Sequence, residues 1–383
     1  MADPNTPEPV LDPTPEERAR EYEQVHNRLF LVRILLTVLV LAVYLLSGAS
    51  VYLAEGLRNR FGALWPVVNG LYTVITIFGF AALMFPLSLY SEHVVERRYG
   101  MSNQELEGWF FDYLKALAIE LVLATAFFEV IYAFLRFAPV LWWIWATFFY
   151  VLFVVVLAAI APVVIMPLFH KFDPIDNPSL TDAVKEFVEK AGLKVVGVFR
   201  WGLEEKTNAG NAALTGLGRS RRIILGDTIL KDYSQDEIIA VLAHEVGHYR
   251  NRDMARLIVV GSALAAAGFY LAHLFLQTLV AKFGFAGPDD IGSFPIFVFC
   301  LIVFSLVTMP VSNAYSRRRE YAADAYAVET LGSSGALVSA LEKLAAQNLA
   351  DKNPAPWIEF LLHSHPSIDR RVRRARAIDP SPR

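Results

Sequence analysis

Residues 234–249 read Ser234-Gln235-Asp236-Glu237-Ile238-Ile239-Ala240-Val241-Leu242-Ala243-His244-Glu245-Val246-Gly247-His248-Tyr249. Ser234 followed three positions later by Glu237 is a capping box, in which each side chain satisfies an amide that a helix start leaves unpaired. Ile238, Ile239, Val241 and Leu242 then recur at helical spacing, so the stretch predicts a helix with His244 and His248 about two turns inside it. Histidines four positions apart stand on one helix face and can share a zinc ion, with Glu245 beside them to deprotonate a metal-bound water. The chemistry this pattern implies is amide hydrolysis.

On both sides of this helix the chain is too apolar for a soluble protein. Of its 383 residues 55% are hydrophobic and 13% aromatic, with a mean hydropathy of +0.40. The excess lies in long runs, 31–53, 64–90, 114–137, 140–168, 257–280 and 294–311, each near or above the roughly 18 to 20 residues that cross a bilayer. Six membrane spans are expected, four before the His244 helix and two after it. Residues 1–17, rich in proline and acid, read as a disordered tail and not as a cleaved signal peptide. Thr14-Pro15-Glu16-Glu17 within it looks like a helix start.

Six spans bring both ends to one side, and the basic residues choose that side. With a cytoplasmic N-terminus, Arg97, Arg98, the 171–256 segment and Arg317-Arg318-Arg319 fall inside, leaving Arg58, Arg60, Arg136 and Lys282 for the other face. The protein is expected to be a multi-pass membrane protein with its polar segments on the cytoplasmic side. The Ala, Val and Arg bias points to a bacterial plasma membrane, with the endoplasmic reticulum as the eukaryotic equivalent. Glu120, Glu129, His273 and Gln277 fall inside spans and should face protein or water. Glu120 and Glu129, nine positions apart, occupy opposite faces of one helix, so one should pair with a neighbouring helix. Cys300 stands alone and can form no internal disulfide. No nucleic-acid motif is visible, and Arg370 to Arg376 read as a juxtamembrane helix near anionic lipid.

Two polar segments can carry chemistry. Residues 170–254 begin with an amphipathic helix opened by Ser179-Leu180-Thr181-Asp182 and closed by Gly192. Short strands are expected at Val195–Trp201 and Arg222–Leu225, with Asn211–Thr215 a weaker third. Asn211-Ala212-Ala213, set among glycines, is either an exposed edge for an extended peptide or an ordinary hairpin with a glycine-rich turn. After the sixth span, Glu320 and Asp324 are one turn apart, suited to a third metal ligand and to an acceptor that orients a ligand imidazole. The fold class expected is therefore mainly α, a polytopic helical membrane protein with a zinc metalloprotease domain containing a small β-sheet.

In motif order the chain resembles the type I CaaX prenyl proteases, integral-membrane zinc metallopeptidases, over roughly residues 96–371. The resemblance is carried by Glu96-Arg97-Arg98-Tyr99-Gly100-Met101-Ser102, by Asn211-Ala212 with Arg222 to Thr228, by His244 to His248, by Glu320 with Asp324, and by His363-Ser364-His365-Pro366. It implies one zinc held by His244, His248 and Glu320, with Glu245 as catalytic base and Asp324 behind a ligand. It also implies that Asn211 and Ala212 present backbone groups to substrate, that His365 stabilises the oxyanion, and that Arg371, or its neighbour Arg370, supports the site. A ring of helices around a hydrated chamber is implied as well. Family members are described with seven spans against six here, so an N-terminal helix is expected to be missing. The implied substrates are peptides or proteins, prenylated with a C-terminal tripeptide to remove or membrane-embedded and unprenylated, as in quality control. A transporter would have no use for Glu245 between the histidines, and a silent scaffold would be expected to have lost it.

Overall fold

The computed structural model describes residues 14–62, 64–216 and 221–379, so the expected tail, apart from its last four residues, lies outside the described residues. Six helices are long and apolar enough to span a membrane, and the chain is a polytopic helical membrane protein. Helix α1 (Pro15–Leu46) begins inside the expected tail, capped by Thr14, whose Oγ1 accepts from Glu17 N at 3.2 Å while Glu17 Oε2 accepts from Thr14 N at 2.9 Å. Its first four turns stand outside the apolar run. The expected continuous span 31–53 is broken, because α1 stops at Leu46 and Gly48, with φ +76, starts the separate α2 (Ala49–Phe61). Glycine adopts this left-handed backbone without the Cβ clash that another residue would meet.

Helix α3 (Trp65–Leu89) passes through a π turn (Tyr90–Val95) into the short α4 (Glu96–Arg98), after which α5 (Leu106–Phe137) and α6 (Trp142–Ile160) complete the first membrane part. Then come β1 (Phe172–Pro174), α7 (Pro178–Lys190), β2 (Val198–Trp201), β3 (Ala212–Thr215) and β4 (Arg222–Gly226). After the short α8 (Asp227–Asp232) come α9 (Gln235–Arg250), the spans α10 (Asp253–Lys282) and α11 (Phe294–Leu331), and finally α12 (Gly335–Gln347), α13 (Pro356–Leu362) and α14 (Ile368–Ala377). The side chain capping α7 is that of Asn177, accepting from Leu180 N at 3.1 Å, where Ser179 was expected to open the helix.

The sheet has the order β1-β2-β4-β3, with β2 and β4 parallel and the outer pairs antiparallel. Strand β1 was not anticipated, being three residues with no alternation to read. Ile223, Ile224 and Leu225 of β4 are fully buried, and α7 and α9 pack over the sheet through Val184, Val188, Ile238 and Leu242. This places β3 at an open edge beside α9. In the membrane part, Tyr72, Tyr132, Trp142 and Phe297 are the largest fully buried side chains of one continuous core.

The intramembrane polar residues divide as their helix faces require. Glu120 lines three cavities, of 850, 580 and 310 Å³, that lie among the membrane helices. Glu129 points instead at α3, its Oε1 3.1 Å from where a Cβ on Gly70 would stand. His273 accepts from Trp142 Nε1 at 3.0 Å and lies 3.1 Å from Gln277 Nε2.

Candidate metal centre and peptide cleft

Helix α9 forms where its capping box predicts. Ser234 Oγ accepts from Glu237 N at 3.3 Å and Glu237 Oε2 accepts from Ser234 N at 2.7 Å. The same carboxylate meets Lys343 Nζ at 2.7 Å and Ser339 Oγ at 2.6 Å on α12, so the cap that starts α9 also docks it. Along its other side α9 lies against α11, where Gly247 permits unusually close approach. A Cβ there would stand 2.9 Å from Ala323 Cα and 3.0 Å from the Ala323 carbonyl oxygen. That contact brings Glu320, one turn before Ala323, level with both histidines.

His244 Nε2 and His248 Nε2 are 3.1 Å apart, and Glu320 stands 3.3 Å from the second and 3.5 Å from the first. Each imidazole turns its other nitrogen to a carboxylate: His244 Nδ1 is 2.9 Å from Asp324 Oδ1 and His248 Nδ1 is 2.9 Å from Asp253 Oδ2. Protons on the Nδ1 atoms leave both Nε2 lone pairs converging on one point beside a buried carboxylate, an arrangement that is repulsive unless a cation occupies the point. Two ligands each about 2.05 Å from a tetrahedral centre would be about 3.3 Å apart, matching these spacings. The field agrees. Burial alone would lower the pKa of His244, but the Asp324 and Glu320 carboxylates outweigh it and raise the value to about 9, so the pocket favours positive charge at this point, a second proton when no metal is bound. The residues fit a small metal ion.

Behind each histidine the carboxylate is held by an arginine. Arg371 forks onto Asp324 at 2.7 and 2.9 Å, and Arg319 Nε donates to Asp253 at 2.5 Å. Arg370 turns away to Glu359 at 3.4 Å, so Arg371 is the one brought to the site. Within the Arg370–Arg376 run, Arg370, Arg373, Arg374 and Arg376 are exposed while Arg371 turns inward. Arg371 is buried, Arg374 lies over the Tyr321 ring at 4.6 Å, and Arg376 pairs with Glu342 at 3.3 Å.

Asp253 and Arg319 were missed from sequence. Asp253 begins α10 five residues past His248, and Arg252, with φ +54, makes the sharp turn that folds it back onto that histidine. An acid shortly after the second histidine was the available signal, hidden by its place at the start of a membrane span. Asp253→Asn is expected to lower metal affinity roughly 10- to 100-fold, as removal of such outer partners does. Competition with a chelating dye measures it, and unchanged affinity would show that Asp253 does not orient His248.

The centre opens into a cleft of 620 Å³ lined on one side by Gly210, Asn211 and Ala212 and on the other by His363 to Ile368. Glu245 lines it, and its carboxylate makes no hydrogen bond or ion pair with any described residue. His365, two-thirds exposed, places Nδ1 3.0 Å from Glu320 Oε2. Asn211 needs correcting. Its carbonyl accepts from Gly226 N at 2.8 Å, so its backbone faces β4 and is not offered at the edge. Strand alternation then turns the N–H and C=O of Ala212 outward, to the open side. What Asn211 offers the cleft is its exposed side chain.

A helical membrane bundle fused to an HExxH helix, a third acidic donor and an open strand edge defines a membrane metallopeptidase. Residues 174–379 match the model described as Peptidase family M48, and residues 3–171 match one described as CAAX prenyl protease N-terminal, five membrane helices. The chain belongs to Peptidase family M48. It is 28% identical to the Uncharacterized metalloprotease YhfN of Bacillus subtilis, over 98% of this chain and 89% of that one. It is 30% identical to CAAX prenyl protease 1 of Saccharomyces cerevisiae, over 75% and 67%. The fold matches the crystal structure of S. mikatae Ste24p with a TM-score of 0.85 at 23% identity, covering 97% of this chain and 92% of that one. Within the region matched by that description, the described residues hold four helices long and apolar enough to span a membrane, α1, α3, α5 and α6, besides the shorter α2 and α4. Helix α2, with 13 residues, is about 20 Å long against a hydrocarbon core of about 30 Å.

Proposed function

We propose that the chain is a zinc-dependent endopeptidase that cuts extended peptides at the cytoplasmic face of its membrane. The observation that supports it most is the meeting, in one cleft, of the donor cluster, the unpaired Glu245 carboxylate and the outward backbone of Ala212. Two imidazoles and one carboxylate at tetrahedral spacing suit zinc, with room for a fourth ligand. A bound zinc ion supplies Lewis acidity and brings the pKa of water toward about 7.

The residues do the rest. Ala212 pairs with the substrate backbone and holds it extended across the centre. Glu245 takes the proton of the attacking water as its oxygen bonds to the carbonyl carbon, then gives that proton to the amide nitrogen as the C–N bond breaks. His365 donates to the oxyanion, and Arg371 keeps Asp324 ionised behind His244.

The named relatives make prenylated CaaX carboxyl termini the first substrate class. The near full-length similarity to a bacterial metalloprotease supports a second, unprenylated membrane proteins. Digestion of paired farnesylated and unfarnesylated peptides, with product masses read before and after chelation and zinc repletion, decides between them. A farnesyl preference of tenfold or more, with loss of three residues, is expected for the first class. Equal cutting of both supports the second, and zinc-loaded protein that cuts nothing sinks the proposal.

A further inference from the structure

The cytoplasmic turns of α1 do more than lead into the membrane. Glu23 brings them to the cleft, and they contact segments that lead into both of its walls. On the strand side, Arg18 Nη2 donates to the Tyr99 carbonyl at 2.6 Å, Tyr22 OH donates to Glu96 at 2.9 Å, and His26 Nε2 stands 3.0 Å from the same carboxylate. Tyr22, Val25 and Leu29 pack on Val95, Tyr99 and Met101. The Met101 carbonyl in turn accepts from Asn208 N at 3.1 Å and Thr207 Oγ1 at 2.8 Å, fixing the lead into β3.

On the other wall the contacts come from one residue. Glu23 lines the cleft, its Oε2 accepting from Asp351 N at 3.2 Å and its Oε1 lying 3.4 Å from His363 Nε2. His363 is two residues before His365, whose side chain is two-thirds exposed and so is not held by packing. Apart from the 3.0 Å contact of its Nδ1 with Glu320 Oε2, its position follows from the backbone of residues 363–366. Arg317 donates to the His363 carbonyl from α11 at 2.6 Å, and the Glu23 carboxylate faces the His363 ring from α1.

We infer that Glu23 is a positioning residue for the reaction, acting through His363 to set the place of His365. This rests on the role proposed above for His365. Loss of the anchor lets the loop drift, and misplacement of a reacting group by about 1 Å can cost up to about 100-fold in rate.

The test is a double-mutant cycle on the full-length, metal-loaded protein. Glu23→Ala should lower kcat roughly 10- to 100-fold with KM within about twofold, leaving metal content and melting temperature at parental values. Glu23→Gln, which still presents one acceptor, should fall between, and His363→Ala should reproduce Glu23→Ala. In a His365→Ala background, Glu23→Ala should have almost no further effect, because a residue that acts through another is non-additive with it. Equal factors in both backgrounds, an unaffected kcat, or loss of metal from Glu23→Ala would each overturn the inference. If His365→Ala alone keeps parental kcat, it is the role of His365 that has failed, and this route falls with it.

Discussion

Glu245→Gln is expected to lower peptide cleavage by roughly 10²- to 10⁴-fold, the range a positioned acid–base group contributes. The metal should remain bound at its parental stoichiometry. The expectation follows from geometry and not only from motif. Glu245 extends into the cleft, whereas His244, His248 and Glu320 converge behind it on one point, so removing its charge leaves the donor set intact. Glutamine keeps the volume and cannot take the proton. A KM near the parental value with collapsed kcat would identify a group that acts only as bonds change. Appreciable cutting by the purified, metal-loaded variant would remove Glu245 from the mechanism.

Gly247→Val is expected to cost both stability and the metal. Its new side chain would meet backbone, the Ala323 Cα and carbonyl, with no flexible neighbour to give way. Overpacking of this kind typically costs 1–3 kcal/mol, and here relief comes only by moving α9 off α11. That motion pulls His244 and His248 away from Glu320, which shares its helix with Ala323. We expect a melting temperature lowered by several degrees and metal affinity reduced at least tenfold, both read on detergent-solubilised protein. A valine variant with parental metal affinity would show that the two helices do not set the ligand spacing.

This contact also marks where sequence reading ends. The helix around His244 was legible because its cap, its apolar spacing and its histidines are all local. The six apolar runs were legible for the same reason, since a bilayer demands length and composition within one stretch. Gly247 carried no such mark, because the need for a hydrogen at that position arises from Ala323, far along the chain. Asp253 was hidden similarly, being an ordinary helix-start acid until Arg252 turns it back onto His248. The break at Gly48 interrupts an apolar run with two small residues, and hydropathy alone does not register it. The chemistry of Arg371 was distinguishable from that of Arg370 only once Asp324 and Glu359 could be seen on opposite sides of α14.

Helix α11 runs without a break from Phe294 to Leu331, and Glu320 is its twenty-seventh residue. Counted along the axis, Glu320 stands about 39 Å from the helix start, against a hydrocarbon thickness of about 30 Å. The third donor is thus mounted on the same rod that fixes the protein's depth in lipid. Asp253, at the head of α10, shares that mounting through Arg319. The working centre is therefore held at a set height above the membrane surface, as a blade is held by its guide. If substrates are held in the bilayer by a lipid group or a membrane helix, as proposed above, that anchor sets which peptide bond meets the centre. On that proposal, distance from the bilayer would select the bond before any side chain of the substrate is read.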